Sequence, residues 1–169
     1  MKKFLKILIG LVIFGAILFG VYKLLPEHPQ SIVKSIVQPV FDSRAKTLIQ
    51  EVQGIKNKDL NDMTYKEILE KNNGMTAWVY EKEEGNTVEH VIFYGKGAGV
   101  NLKDYPDYNG LMSTSAQVKI DFQVSGTSVD IIPYIDGKIM YKSDAKYKDE
   151  NEKLRKDLMS QLANGIRAD

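Results

Sequence analysis

The chain offers few residues for metal or nucleophile chemistry. It contains two histidines, His28 and His90, and no cysteine, so disulfides, thiolate metal sites and cysteine nucleophiles are excluded. His28 lies between two prolines and His90 follows Glu89 in a different element. Neither histidine has the spacing of a zinc trio or of a nucleophile–base–acid triad. We therefore expect no metal, no cofactor and no catalytic residue, and we expect His28 to be solvated.

A glycine-rich segment at residues 95–99 (GKGAG) has the composition of a phosphate-binding loop. Such a loop places its glycines and lysine between a strand and a helix N-terminus, with serine or threonine after the lysine. Here Gly97 follows Lys96, and residues 100–103 (VNLK) contain no helix-start signal. The segment is more typical of a strand end with a bulge, or of a flexible exit from a strand.

Residues 104–110 (DYPDYNG) resemble a calcium loop, but Tyr105 and Ala116 stand where the EF-hand pattern requires acidic ligands. Turn residues at these positions predict a long loop between strands. Tyrosines on long loops are common at protein interfaces, because the ring is rigid and amphipathic. We predict that the loop and the residues after it bind a partner protein through Tyr105, Tyr108, Leu111 and Met112.

Three carboxylates, Glu81, Glu83 and Glu84, fall at the tip of a predicted hairpin. Paired carboxylates need a sheltered cleft to separate their pKa values for acid–base catalysis. A hairpin tip is solvated, so we expect these glutamates to be ordinary surface residues. Trp78, the single tryptophan, is expected in the core beneath a helix.

Helices at both ends of the predicted domain position these residues. Apolar residues recur at three- and four-residue steps, which predicts one face of a helix that ends near Lys56 and is kinked or restarted at Pro39: Phe41, Ala45, Leu48, Val52 and Ile55. Thr64 and Glu67 form a capping-box pattern for a second, shorter helix. A third helix is predicted near the C-terminus, over residues 149–163.

Between these helices the apolar period changes to two, which is typical of half-buried strands. Asp136-Gly137 is a strong hairpin signal, and Glu84-Gly85-Asn86 marks another turn. The predicted strands cover residues 75–83, 87–94, 115–124, 129–135 and 138–141. The fold class is therefore α+β, with two helices, an antiparallel meander of four to five strands and a C-terminal helix, preceded by a transmembrane helix.

The transmembrane prediction rests on residues 4–25, which are apolar except for Lys6 and Lys23. As a helix this segment is about 33 Å long, enough for a hydrocarbon core of about 30 Å. A cleaved secretory signal is the alternative, but the least unfavourable cleavage site has Leu18 and Gly20 at positions −3 and −1. A buried core helix is the third possibility. An uncleaved anchor fits best, and Ala16 and Gly20 have the spacing for close helix packing.

Charge is distributed unevenly along the chain. Four of the 23 basic residues lie before residue 26, and all 22 acidic residues lie after it. The remaining 19 basic residues leave the body with a charge of about −3, which argues against nucleic acid as a partner. Three lysines at the start of the segment (Lys2, Lys3 and Lys6) and one near its end (Lys23) predict an N-terminus in the cytoplasm and a body outside it.

These observations predict three segments: a membrane anchor over residues 1–25, a proline-bracketed hinge over residues 26–30, and an extracytoplasmic α+β domain over residues 31–169. The layout of residues 31–142 resembles the cystatin-like or nuclear-transport-factor-like α+β roll. That roll is also the extracytoplasmic domain of an inner-membrane scaffold protein in bacterial type IV secretion machines. The resemblance implies a bacterial inner-membrane protein that assembles with others through its sheet face and helix edge.

The function expected from the sequence is that of a non-catalytic accessory or scaffold subunit of a membrane-associated assembly. Its expected partners are the lipid bilayer and other membrane or extracytoplasmic proteins, including further copies of the chain itself. A small-ligand-binding domain is the second hypothesis, because a roll can enclose an apolar pocket. A hydrolase that uses carboxylates alone, such as Glu83 or Asp107, is the third.

Overall fold

The computed structural model describes residues 20–105 and 111–166. Its helices are α1 (Glu27–Phe41), α2 (Ser43–Gly54), α3 (Tyr65–Lys71) and α4 (Lys148–Asn164). Residues 20–24 are also helical, and short 3₁₀ turns occupy Lys58–Leu60 and Ala145–Tyr147.

Two antiparallel sheets accompany the helices. Two-residue strands β1 (Lys56–Asn57) and β2 (Met63–Thr64) pair with each other between α2 and α3. The main sheet has five strands in chain order: β3 (Gly74–Lys82), β4 (Glu89–Asn101), β5 (Met112–Ser125), β6 (Ser128–Ile135) and β7 (Lys138–Ile139). The predicted α+β class, antiparallel meander and C-terminal helix are confirmed.

The predicted membrane anchor falls mostly outside the described residues, because residues 1–19 precede them. Within residues 20–105 and 111–166, no helix has the length and apolar character needed to span a bilayer. Pro26 occupies the N-cap of α1, and Pro29 lies in its first turn. The residues assigned to a hinge therefore include the start of α1.

Local turn signals in the sequence correspond to turns in the structure. Thr64 and Glu67 form the capping box of α3, with the Thr64 backbone N–H donating to Glu67 Oε2 at 2.7 Å. Asp136 and Gly137 both have positive φ in the tight turn between β6 and β7. Gly97 has φ 108° at a bulge within β4. The GKGAG segment therefore contains the expected bulge, but it lies inside a strand that continues to Asn101 and not at a strand end or exit.

The break between the first two helices differs from the prediction. Pro39 lies in the last turn of α1, and the chain breaks three residues later, at Asp42. The Asp42 side chain accepts a hydrogen bond from Ala45 N and caps α2. Phe41 consequently stays on α1 and is 85% exposed. Its expected place on the buried face of the following helix is wrong.

The main core lies on the inner face of the sheet, beneath α2, α3 and α4. Strand alternation sends Phe93 of β4 and Ile120 and Phe122 of β5 to this face, and all three are fully buried. Trp78 stacks on Phe122 at 5.8 Å between ring centroids. The Trp78 indole N–H donates to Glu70 Oε1 at 2.9 Å. The expected core position of Trp78 is confirmed.

The outer face of the sheet is covered only in part. Four buried residues on β3 and β4, with Ile32 of α1 against them, form a small second cluster: Ala77, Val79, Ile92 and Tyr94. On β5 the outer positions are polar, including Lys119 and Asp121. Helix α1 therefore lies over one half of the outer face, and the other half borders an open groove.

A partly buried carboxylate, that of Glu89, connects α2 to the hairpin of β3 and β4. Glu89 accepts hydrogen bonds from the Arg44 guanidinium and from Tyr80 Oη, the latter at 2.7 Å. The Arg44 hydrogen bond, with that from Tyr80, lowers the pKa of Glu89 to about 2, although burial opposes this. Burial and the bond to Glu89 raise the pKa of Tyr80 to about 12.

We predict that Glu89→Gln flattens the acid limb of the stability curve. A depressed native pKa stabilises the fold above the unfolded value of about 4.3, and this contribution is lost as pH falls towards 2. The expected loss is about 1–2 kcal/mol at neutral pH, after allowance for the half-exposed Arg44. Urea unfolding followed by Trp78 fluorescence from pH 2 to pH 7 measures it. The exposed control Glu83→Gln should follow the wild type, and parallel curves for both variants would contradict the assignment.

Candidate functional site

A groove of about 460 Å³ lies between the first turn of α1 and the open half of the outer sheet face. Helix α1 supplies one wall, and side chains of β4, β5 and β6 supply the floor. Its main lining residues are Glu27, His28, Met75, Tyr94, Lys119 and Tyr134.

The floor of the groove is a row of three side chains in strand register. Tyr94 pairs with Lys119, and Lys119 pairs with Tyr134 on the next strand. The Lys119 ammonium consequently lies between two rings, with Nζ 5.4 Å from the Tyr94 centroid and 5.3 Å from the Tyr134 centroid. These distances are within cation–π range.

Glu27 of α1 completes this cluster from above. One of its carboxylate oxygens accepts hydrogen bonds from Lys119 Nζ and from Tyr94 Oη, both at 2.8 Å. The Lys119 hydrogen bond is the main cause that lowers the pKa of Glu27, and Tyr94 adds to it. Burial and the bond to Glu27 raise the pKa of Tyr94. At neutral pH the groove therefore holds a carboxylate, an ammonium and a neutral phenol.

His28 is not the solvated residue that the sequence suggested. Its Nε2 lies 2.7 Å from the carbonyl oxygen of Met75, so this nitrogen donates a hydrogen bond to the start of β3. The side chain is partly buried and its ring lies 6.4 Å from that of Tyr94. The proline-flanked histidine therefore fastens α1 to the sheet beside the groove.

A second polar cluster lies further along the outer face. His90 Nδ1 is 3.0 Å from Asp121 Oδ1 across the β4–β5 ladder, and Gln123 Nε2 donates to Asp121 Oδ2 at 3.2 Å. Asp121 is buried, so these hydrogen bonds compensate for its lost hydration. The cluster connects neighbouring strands. Sequence reasoning missed it because His90 and Asp121 lie 31 residues apart.

Three polar groups of the groove, those of Glu27, Tyr94 and Lys119, already pair with one another, and the rings and Met75 offer apolar contact. Among the residues that the structure describes, no three His, Asp or Glu side chains are grouped to hold a metal ion. Glu81, at the predicted acidic tip, forms a surface ion pair with Lys34 at 2.7 Å.

The four residues predicted to contact a partner do not share one environment. Tyr105 is 6% exposed, packs in the main core and donates from Oη to Asp157 of α4. Tyr108 lies outside the described residues. Leu111 is partly buried against the core, and Met112 is 52% exposed at the start of β5. The Tyr105 ring is therefore a core side chain, and Met112 offers exposed apolar surface.

The two residues predicted to pack membrane helices lie at or beyond the edge of the described region. Ala16 is outside it. Gly20 is its first residue, and a Cβ placed there would have no neighbour within 4 Å.

The outward side of α1 is apolar, a feature that the sequence analysis did not identify. Five exposed side chains at three- and four-residue steps form what we call the α1 apolar face: Val33, Ile36, Val37, Val40 and Phe41, with exposures from 43% to 85%. The side of the same helix that contacts the sheet is mainly polar, with Ile32 as its apolar contact. The three- and four-residue spacing of these side chains is the signal in the sequence, but spacing alone does not tell whether an apolar helix face is buried or exposed.

Comparison with known proteins supplies no family or structural neighbour: no protein-family model, curated protein or solved structure matches the chain.

We predict that Lys119→Met raises the pKa of Glu27, because the ammonium is the main group that holds it down. NMR titration of the Glu27 carboxyl carbon in full-length protein measures the shift. The control Lys138→Met changes an exposed lysine on β7 and should leave the titration of Glu27 as in the wild type. A Glu27 titration that is identical in all three proteins would show that the Lys119 contact does not persist in solution.

Proposed function

We propose that the chain is a non-catalytic, single-pass protein of a bacterial cytoplasmic membrane. In this proposal residues 1–25 are the anchor, the N-terminus is cytoplasmic, and the α+β domain stands outside the cytoplasm. The domain acts as an accessory or scaffold subunit of a membrane-associated assembly. The resemblance to the cystatin-like or nuclear-transport-factor-like roll belongs to this proposal and rests on layout alone.

The observation that carries the proposal is where exposed apolar surface lies. Of the eleven large hydrophobic residues that are exposed in the described part of the chain, seven fall between Val21 and Phe41. Two of the seven, Val21 and Leu24, lie at the end of the predicted anchor, and the other five lie on α1, which directly follows it. Exposed apolar surface concentrated in one place marks contact with a membrane or another protein. Its position beside the predicted anchor supports a domain that works at a bilayer.

The domain also has the character of a scaffold. Glu27, Tyr94 and Lys119 in its groove pair with one another, so these three side chains are held in place without a ligand. Apolar surface remains exposed at Met112, next to the loop that the sequence predicts to bind a partner. These features support a role in protein contact through Tyr108, Leu111 and Met112, with Tyr105 holding the loop to α4.

A small-ligand-binding domain is the second candidate. The observation in its favour is the groove of about 460 Å³, whose volume lies in the range of ligand sites. Its lining combines two tyrosine rings with the charged pair of Glu27 and Lys119. An amphipathic molecule with an aromatic or polar end would suit this lining.

We expect the chain to stay in the membrane pellet after washing with alkaline carbonate. The variant Ile13→Arg/Ile17→Arg places two charges in the middle of the apolar segment and should release it, because a charge in the bilayer core is costly. Protease added to spheroplasts should digest the domain, whereas inside-out vesicles should protect it. A mature chain that starts after Gly20, or a domain digested only from the cytosolic side, would overturn the anchor and its orientation.

A second experiment separates scaffolding from ligand binding. We expect the double variant Tyr108→Ala/Met112→Ala to lose crosslinks to partner proteins that crosslink to the wild type in native membranes. Ile139→Ala is the matched control, because Ile139 is similarly exposed on β7. Tyr105 is left unchanged, since its truncation would leave a cavity in the core. Unchanged crosslinks together with a small molecule that co-purifies with the wild type but not with Tyr134→Ala would favour ligand binding.

A further inference from the structure

We propose that the α1 apolar face docks on the same bilayer that holds the anchor, so that α1 lies along the membrane surface and fixes the orientation of the domain. The inference rests on the proposed function, because it requires an anchored chain. It goes further by assigning an occupant to the α1 apolar face, which consists of Val33, Ile36, Val37, Val40 and Phe41.

The first argument is the reversed polarity of α1. A helix on the surface of a globular domain normally buries its apolar side and exposes its polar side. In α1 the polar residues contact the sheet: Gln38 donates to Tyr80 O at 2.7 Å and accepts from Tyr80 N at 2.9 Å. Every exposed side chain from residue 33 to residue 41 is apolar. Apart from Ile32, which packs on the sheet, the domain therefore occupies the polar side of α1 and leaves the five residues of the α1 apolar face for another environment.

The second argument is the position of α1 along the chain. The apolar segment ends at Leu25, and α1 begins two residues later, at Glu27. A 15-residue helix is about 22 Å long, so the whole of α1 stays close to the point where the anchor leaves the bilayer. Pro26 has an extended backbone, with φ −57° and ψ 160°. It separates α1 from helical residues 20–24, so the two helical segments need not be collinear.

The third argument is that the α1 apolar face is too small to be occupied by a second copy of the chain. The α1 apolar face spans nine residues, about 14 Å of helix, with five exposed side chains. A stable interface buries roughly 800 Å² on each partner, which needs about 20–30 residues a side. The α1 apolar face is too small to hold two copies together by itself. A bilayer imposes no such minimum, because the anchor already keeps the helix at the surface.

Docking in this way would orient the whole domain. Helix α1 lies on the outer face of the sheet, whereas α3 and α4 pack on the inner face. With α1 on the lipid, α4 lies on the side of the domain that faces away from the membrane. The groove, whose lining begins at Pro26, opens beside the bilayer surface.

The test uses single cysteines, which is possible because the full chain has none of its own. Ile36→Cys and Val40→Cys are labelled with an environment-sensitive fluorophore and reconstituted in phosphatidylcholine vesicles at a low protein-to-lipid ratio. Lys153→Cys, exposed on α4, is the matched control. We expect nitroxide-labelled lipids to quench the labels at 36 and 40 at least threefold more strongly than the label at 153. Two sites on the face guard against an effect of one label on folding.

The outcomes distinguish this inference from the function on which it rests. Equal quenching at all three positions, in a chain that resists carbonate extraction, would overturn the docking and leave the anchor intact. Extraction of the chain by carbonate would overturn both. Disulfide-linked dimers of Ile36→Cys without lipid quenching would assign the face to a second copy and overturn the bilayer as its occupant.

Discussion

The antiparallel ladder between β4 and β5 is the constraint on which the rest of the domain depends. Its register places Phe93 opposite Ile120 on the inner face and Tyr94 opposite Lys119 on the outer face. A slip of one residue would reverse every side chain of a strand, so the hydrophobic core and the groove are fixed by the same hydrogen bonds. The core helices and the polar row of the groove both follow from this register.

The sequence predicted the parts of the fold that depend on near neighbours. The Thr64 capping box, the Asp136-Gly137 turn and the alternation of β5 are local patterns, and all three are present in the structure. The groove was not predicted, because Glu27 and Lys119 lie 92 residues apart and meet only after α1 folds against the sheet. The environments of two residues differ from those expected from residue type: Phe41 is exposed and Tyr105 is buried. An apolar spacing does not show to which of two adjacent helices a residue belongs. A tyrosine in a loop can pack inward when a carboxylate such as that of Asp157 accepts a hydrogen bond from its hydroxyl.

Polar groups on the outer face of the sheet form hydrogen bonds mostly with one another. The Glu27, Lys119 and Tyr94 cluster and the His90 and Asp121 pair each compensate charges on the outer face. Exposed apolar surface is instead concentrated on α1, which carries five of the eleven large hydrophobic side chains that are exposed among the described residues.

The two hydrogen bonds between the Gln38 side chain and the Tyr80 backbone also limit pairing of the sheet edge with other chains. Strand β3 is the first strand of the main sheet and pairs on one side only, with β4. The Gln38 amide imitates a neighbouring strand, because it uses the backbone N–H and carbonyl of Tyr80 that would otherwise be free. Unprotected strand edges recruit other strands and lead to aggregation. Gln38 of α1 thus protects this edge at Tyr80. A chain that lost the helix would expose these backbone groups, on which other strands could pair edge to edge.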